Sequence, residues 1–125
     1  MSDERRERGL RRVRELLEPK AQPDFDDPLI AMAIDHVFAD VWTRPGLELR
    51  ERSLVTCAAL VALGKEHELR LHLRGALNVG ISPEAVEEMM IHLAHYSGWP
   101  TGVTGLRVAR EVIADFNKPK PGEPA

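Results

Sequence analysis

Apolar residues recur along most of the chain with the three- and four-residue spacing of helices, and strand-like alternation is absent from the sequence. Glycine, proline and short polar turns separate the periodic segments. The pattern predicts an all-α fold of five to six helices. They are expected over residues 3–18, 28–42, 48–63, 66–79, 83–97 and 101–116.

Residues typical of helix caps mark several of these boundaries. Asp27–Pro28 and Ser82–Pro83 each combine an N-cap acceptor with a proline suited to the first helical position. Gly64 and Gly80 are placed to end the two central helices with positive φ. Thr101 is expected to cap the last helix.

The central helix is apolar on nearly every side between Leu54 and Leu63. Such a helix is expected to be buried. A domain of 125 residues buries only about two-thirds of its unfolded surface. A second copy of the chain would supply the missing cover, and we therefore expect a homo-oligomer.

Composition and charge are those of an ordinary globular protein, with 43% hydrophobic and 30% charged residues and a formal net charge of -3. This balance favours neither nucleic acid nor an anionic membrane as a partner. The longest apolar run is too short to cross a bilayer, and the charged N-terminus does not resemble a signal peptide. We expect a cytoplasmic protein with an amphipathic helix at 1–18, a helical domain at 19–116 and a disordered tail at 117–125.

The leading candidate for chemistry is a carboxylate beside an imidazole. Glu68 and His72 are four residues apart on a predicted helix, so they share one face. Such a pair can act as a general acid–base unit near neutral pH, although an incidental surface pair has the same spacing. His36 and Asp40 also have this spacing and are expected to form a surface ion pair.

Two weaker candidates involve metal ligands and a thiol. Glu88, His92 and His95 contain an HxxH spacing, but no motif supplies the three or four ligands of a metal site, so no metal is predicted. Cys57 is the single cysteine, which excludes an internal disulfide. It lies in the apolar run and is expected to be a buried, unreactive thiol.

Several short sequence blocks lie between about residues 40 and 112. They are WTRPGL at 42–47, RSLVT at 52–56, ELRLHLRGA at 68–76, NVG at 78–80 and a Y-x-G-x-P pattern at 96–100. These blocks resemble the carboxymuconolactone decarboxylase family. The likeness is closer to the 4-carboxymuconolactone decarboxylases than to the thiol-dependent branch related to the alkyl hydroperoxidase D proteins.

The resemblance implies the alkyl hydroperoxidase D-like (AhpD-like) helical fold, assembled as a trimer or hexamer. It implies decarboxylation of a carboxylated lactone, such as 4-carboxymuconolactone, in the breakdown of aromatic compounds. No metal or organic cofactor is expected, because the lactone itself accepts the electrons released with CO₂.

The same resemblance implies roles for particular residues. His72 would donate a proton to carbon, while Glu68 would hold its tautomer and raise its pKa. Arg44 or Arg52 would bind a substrate carboxylate. Tyr96 and Trp99 are the further substrate-binding candidates, and whether His92 and His95 join them is left open.

Two alternatives remain. The thiol-dependent branch, with its peroxiredoxin activity, carries a CxxC motif whose cysteines fall on Lys65 and Glu68 when the chains are matched at His72. Neither position is cysteine here, which disfavours that chemistry. The other alternative is a non-catalytic helical oligomer that keeps the fold.

Overall fold

The computed structural model describes residues 2–119 and 121–122, and all regular structure in that part of the chain is helical. The all-α prediction is confirmed. None of the helices described is both long and apolar enough to cross a membrane. The elements in chain order are α1 (Ser2–Leu16), α2 (Pro28–Met32), a π-helix (Ala33–Val41), α3 (Leu49–Ala62), α4 (Glu66–Asn78), α5 (Pro83–Tyr96) and α6 (Trp99–Phe116).

The chain forms two compact units, Met1–Arg52 and Ser53–Ala125, and the boundary falls within α3. The predicted domain over residues 19–116 stays a prediction. So does the disordered tail at 117–125, of which residues 120 and 123–125 lie outside the described part of the chain.

In the first unit, α1 packs against the π-helix at a close crossing. Gly9 is buried there, and a Cβ at this position would overlap the carbonyl oxygen of Ile34. The Arg6 guanidinium holds Asp35 through two hydrogen bonds of 3.1 and 2.9 Å. Paired bonds of this kind fix direction as well as distance.

The surface ion pair expected at His36 and Asp40 is present, with 3.3 Å between Nδ1 and Oδ2. Arg5 and Arg8 contact the same carboxylate from α1. The Arg5 hydrogen bond is the largest of the effects that lower the pKa of Asp40 to about 2.

The π-helix was not predicted, because residues 28–42 were expected to form one α-helix. In its last turn the Trp42 N–H donates to the carbonyl of Val37, five residues earlier, at 2.9 Å. The wider turn changes which side chains face inward. Ile34 and Ala39, five residues apart, are the buried pair, whereas Val37 is 40% exposed.

The second unit holds the main apolar core, in which α4 and α5 each pack against α6. Gly102 permits the approach of α5 and α6, because a Cβ there would overlap the side chain of Ala94. The core consists of Cys57, Val61, Leu69, Leu73, Ala76, Leu77, Ile81, Val86, Met90, Val108, Ala109 and Val112.

Most of the predicted helix boundaries are confirmed. Asp27 accepts hydrogen bonds from two backbone N–H groups at the start of α2, and Ser82 accepts one from Ala85. Gly64 and Gly80 have φ values of 73° and 94°. The cap assigned to Thr101 is wrong.

The last helix begins at Trp99, two residues before the cap that was expected. Gly98 precedes it with φ 105°, and Pro100 occupies the first turn. Proline is tolerated there because the first N–H groups of a helix have no partner within the helix.

The expectation that the central helix is buried is wrong for a single chain. Ser53, Cys57 and Val61 form one buried stripe on α3, while Val55 and Leu63 are 60% and 68% exposed. Val55 and Leu63 therefore lack cover in the described part of the chain, whereas Leu54 and Leu60 are partly buried against the core. Coverage by a second copy stays a prediction.

Candidate active site

Helix α4 carries the predicted acid–base pair. Its core-facing side chains Leu69, Leu73 and Ala76 follow helical spacing. His72 lies beside this stripe and is half-buried, whereas Glu68, one turn earlier, is exposed. The pair therefore lies at the edge of the core, where solutes can reach the carboxylate.

Two opposing effects act on the pKa of His72. Burial lowers the pKa of His72 below its ordinary value, and the negative charge of Glu68 acts in the opposite direction. The predicted effect of Glu68, which raises the pKa of His72, is therefore confirmed, whereas the larger effect of burial was not predicted. Desolvation outweighs the charge because Glu68 is exposed and screened by solvent.

The two predicted aromatic residues lie where α5 ends and α6 begins, and each contacts a histidine. Tyr96 stacks on His92 with ring centroids 5.1 Å apart, and Trp99 meets His95 edge-on at 5.6 Å. Tyr96 and Trp99 are 79% and 65% exposed in the chain. His92 and His95 are thus in ring contact with the two aromatic candidates.

The tautomer of His95 is set by the backbone. Its Nδ1 lies 2.9 Å from the carbonyl oxygen of Ile91. Because a carbonyl oxygen can only accept a hydrogen bond, Nδ1 carries the proton. Nε2 of the neutral ring is then an acceptor. Glu88, His92 and His95 do not belong to any cluster of three metal-ligating side chains in the described part of the chain.

The two candidate arginines lie in the first unit. Arg52 donates from Nη2 to the carbonyl oxygen of Arg44 at 2.8 Å, and Arg44 itself is exposed. Nε of Arg52 is buried and has no hydrogen-bond partner among the described residues. The Nη2 group of Arg52 is therefore engaged with the backbone, while its Nε–H is a donor without an acceptor among the described residues.

Cys57 is fully buried, as predicted. Burial raises the pKa of its thiol to about 12. Since the thiolate is the reactive form, this environment suppresses thiol chemistry near neutral pH.

Ser53 was missed as a candidate in its own right. It is completely buried, and its Oγ has no hydrogen-bond partner among the described residues. The available signal was its position four residues before Cys57, which places both on one face of α3.

A cleft of about 550 Å³ lies elsewhere in the second unit, between α4 and α6. Neither Glu68 nor His72 lines it. Arg70 and Arg74 reach across to Glu111 and Asp115, at 2.7 and 2.9 Å. The cleft walls are thus joined by ion pairs. Its lining residues are His67, Arg70, Leu71, Arg74, Glu111, Val112, Asp115 and Lys118.

Comparisons with known proteins agree with this fold and sequence pattern. Residues 28–111 match the model of the carboxymuconolactone decarboxylase family. The chain is 39% identical to 4-carboxymuconolactone decarboxylase of Acinetobacter baylyi over 93 residues, covering 74% of this chain and 69% of that one. It is 33% identical to nitrosuccinic acid decarboxylase npaB of Metarhizium robertsii over 92 residues, covering 74% of this chain and 64% of that relative.

The family match covers more than half of the chain, and the bacterial relative is similar over more than two-thirds of its length. The matched range includes Glu68, His72, Tyr96 and Trp99. The protein belongs to the carboxymuconolactone decarboxylase family.

Proposed function

We propose that this protein is a decarboxylase of a small carboxylic acid, with 4-carboxymuconolactone or a related lactone acid as the leading substrate. Family membership and two relatives named as decarboxylases support the reaction type. The observation that carries the proposal is His72, a half-buried imidazole with a carboxylate one turn away on the same helix.

The reaction needs an electron acceptor and a proton donor. When the bond between the substrate carbon and its carboxylate breaks, CO₂ leaves and the electron pair moves through the ring to the lactone carbonyl oxygen. Hydrogen-bond donors stabilise the resulting enolate. A proton then forms the new C–H bond as the enolate returns to carbonyl, so that one proton is consumed for each CO₂ released. The substrate supplies its own electron sink.

His72 suits the role of proton donor in this sequence. Its lowered pKa makes the imidazolium a stronger acid than an ordinary histidine. In the protein alone the ring is mainly neutral at pH 7. An anionic substrate beside it raises the pKa, so that His72 takes up a proton as the substrate binds.

The negative charge of Glu68 affects the protonation of His72. Its carboxylate favours the imidazolium and offsets part of the effect of burial. Because Glu68 is exposed, solvent limits the size of this contribution. Glu68 therefore adjusts the protonation of His72, and orienting the ring remains its second proposed role.

Arg44 and Arg52 are the proposed cations for a substrate carboxylate, and Tyr96 and Trp99 the proposed substrate-binding aromatics. A planar guanidinium matches a carboxylate with two parallel hydrogen bonds. Arg52 is favoured over Arg44 by its buried Nε, which has no partner among the described residues.

The fungal relative suggests a second substrate class. A nitro group beside the departing carboxylate also accepts the electron pair on oxygen, giving a nitronate in place of an enolate. The same donors could serve both acids, so nitrosuccinic acid is the alternative substrate. The thiol-dependent peroxidase is disfavoured by the buried Cys57 with its raised pKa.

The test is release of CO₂ by the purified protein. We expect the protein to turn over 4-carboxymuconolactone. Turnover is measured by the loss of lactone-acid absorbance and by capture of the CO₂ released, and nitrosuccinic acid is assayed in parallel. Turnover of nitrosuccinic acid alone would move the assignment to the second class. Failure to release CO₂ from either acid would favour the non-catalytic alternative.

A further inference from the structure

The cleft between α4 and α6 is a space that the proposed decarboxylation does not use, since neither Glu68 nor His72 lines it. Its volume of about 550 Å³ lies in the range of sites that bind small molecules. Its apolar lining consists of Leu71, which is 46% exposed, and the buried Val112. Charged side chains make up the rest of the lining, so an occupant meets both apolar and charged surface.

At one end of the cleft the charges are already matched. Arg70 contacts Glu111 at 2.7 Å and Glu66 at 3.4 Å. Arg107 contacts the same two carboxylates, each at 3.3 Å. Two arginines therefore face two glutamates, and this cluster of four has no net charge to attract a ligand.

The other end of the cleft carries an excess of positive charge. The Arg74 guanidinium donates from Nη1 to Oδ2 of Asp115 at 2.9 Å and makes no other hydrogen bond among the described residues. The backbone N–H of Lys118 donates to the Asp115 carbonyl at 3.2 Å, but its side chain has no ion-pair partner in the same part of the chain. Two cations therefore line the cleft beside a single carboxylate.

Arg74 is held in place before any ligand arrives. Its guanidinium lies over the ring of Phe116, 5.6 Å from the centroid, while Asp115 holds Nη1. Nε and Nη2 are left as donors, and two guanidinium nitrogens match the two oxygens of a carboxylate. Because the donor is fixed in advance, less conformational entropy is lost when an anion binds.

We propose that this cleft binds a small carboxylic acid with an apolar body, at a site separate from His72. The carboxylate lies between Arg74 and Lys118. The apolar body lies on Leu71 and Val112, which precede Arg74 and Asp115 by one helical turn. Solvent screens cations at a partly exposed site, so the apolar contact supplies much of the affinity. The site does not depend on the proposed decarboxylation.

The experiment uses benzoate as the probe and maps chemical shifts of backbone amides in the isotope-labelled whole chain, at constant ionic strength. Acetate supplies the charge without the apolar body, and benzyl alcohol supplies the body without the charge. Each is titrated to obtain its Kd.

Three variants are titrated with benzoate in the same way. Arg74→Gln removes the guanidinium, and Lys118→Gln removes a cation that has no ion pair among the described residues, so its loss leaves the fold intact. Arg110→Gln is the matched control. It breaks an ion pair of the same length as that of Arg74, 2.9 Å to Glu87, at a position that does not line the cleft.

We expect benzoate to shift amides within 70–74 and 111–118 saturably, and to bind about tenfold more tightly than acetate or benzyl alcohol. Arg74→Gln should raise the Kd for benzoate by about tenfold, as loss of a charged hydrogen bond does. Lys118→Gln should raise it by about threefold, since an exposed cation contributes less. Arg110→Gln should leave it within about twofold.

Failure of benzoate to bind, or equal Kd values for benzoate and acetate, would overturn the proposal. Unchanged affinity in both Arg74→Gln and Lys118→Gln would do the same, as would an equal loss in Arg110→Gln, because attraction would then be general. Binding that His72→Gln abolishes and Arg74→Gln keeps would place the acid at the proposed active site instead. A protein that binds benzoate in the cleft but releases no CO₂ from lactone acids contradicts only the proposed function, and one that releases CO₂ without binding benzoate contradicts only the cleft site.

Discussion

Glu68 lies one helical turn before His72 on α4, and its carboxylate raises the pKa of His72 against the larger effect of burial, which lowers it. Two opposing influences therefore act on one imidazole. This balance lets a single substitution change the acidity of His72 without removing its ring.

Glu68→Gln should lower the pKa of His72 further. The substitution removes the negative charge that favours the imidazolium and leaves the effect of burial in place. Titration of the His72 ring protons by NMR measures the change directly. If His72 must be protonated to act, kcat/KM falls as pH rises through this pKa, and the falling limb should move to lower pH in the variant. An unchanged or raised pKa would show that Glu68 does not act on His72.

Cys57 should be dispensable for turnover. Its thiol is fully buried and has a pKa of about 12, so thiolate is scarce at neutral pH. Cys57→Ala should keep kcat within about twofold per folded molecule, while costing stability through lost packing. Thiol reagents should label the native protein far more slowly than the unfolded chain. Rapid native labelling, or dithiol-dependent peroxide reduction that Cys57→Ala abolishes, would favour the thiol-dependent branch.

Gly9 should tolerate no side chain. A Cβ there overlaps the carbonyl oxygen of Ile34, a backbone atom that cannot rotate away. Gly9→Ala should cost about 1–3 kcal/mol or more, as overpacking does. Gly46→Ala is the matched control, since a Cβ at Gly46 would meet nothing within 4 Å and the φ of this residue is not positive. Comparable unfolding midpoints for the two variants would contradict the close crossing of α1 and the π-helix.

Arg52→Lys should raise KM for the lactone acid by about tenfold, because lysine replaces two parallel hydrogen bonds with a point charge. Arg44→Lys should have the smaller effect, since Arg44 is exposed and Arg52 carries the buried Nε. Arg50→Lys on the exposed surface of α3 is the control. Steady-state kinetics separate KM from kcat. Equal KM values in all three variants would remove both arginines from substrate binding.

Much of the fold was predictable because local signals agree with it. Asp27, Ser82, Gly64 and Gly80 act at helix ends as their chemistry predicts. The π-helix was not predictable from periodicity, since the same apolar residues fit an α-helix of period 3.6. Only the backbone reveals that Ile34 and Ala39 face inward together.

The proximity of Glu68 and His72 and the direction in which Glu68 shifts the pKa of His72 were predictable from the sequence, but the larger effect of burial was not. Spacing places Glu68 and His72 on one face, and the structure confirms that they interact. The direction of the pKa change depends on how deeply His72 is buried, which tertiary packing decides. Ser53 was overlooked for a similar reason, because its missing partner is visible only once the surrounding side chains are placed.

The most direct test of the account is decarboxylation of 4-carboxymuconolactone by His72→Gln, Glu68→Gln and the double variant. General acids contribute about 10²–10⁴-fold, so His72→Gln should lower kcat by a factor in that range. If Glu68 acts through His72, Glu68→Gln should add little to the loss already caused by His72→Gln. Near-natural kcat in His72→Gln would contradict the assignment of His72 as proton donor, and multiplicative losses would show that the two residues act independently.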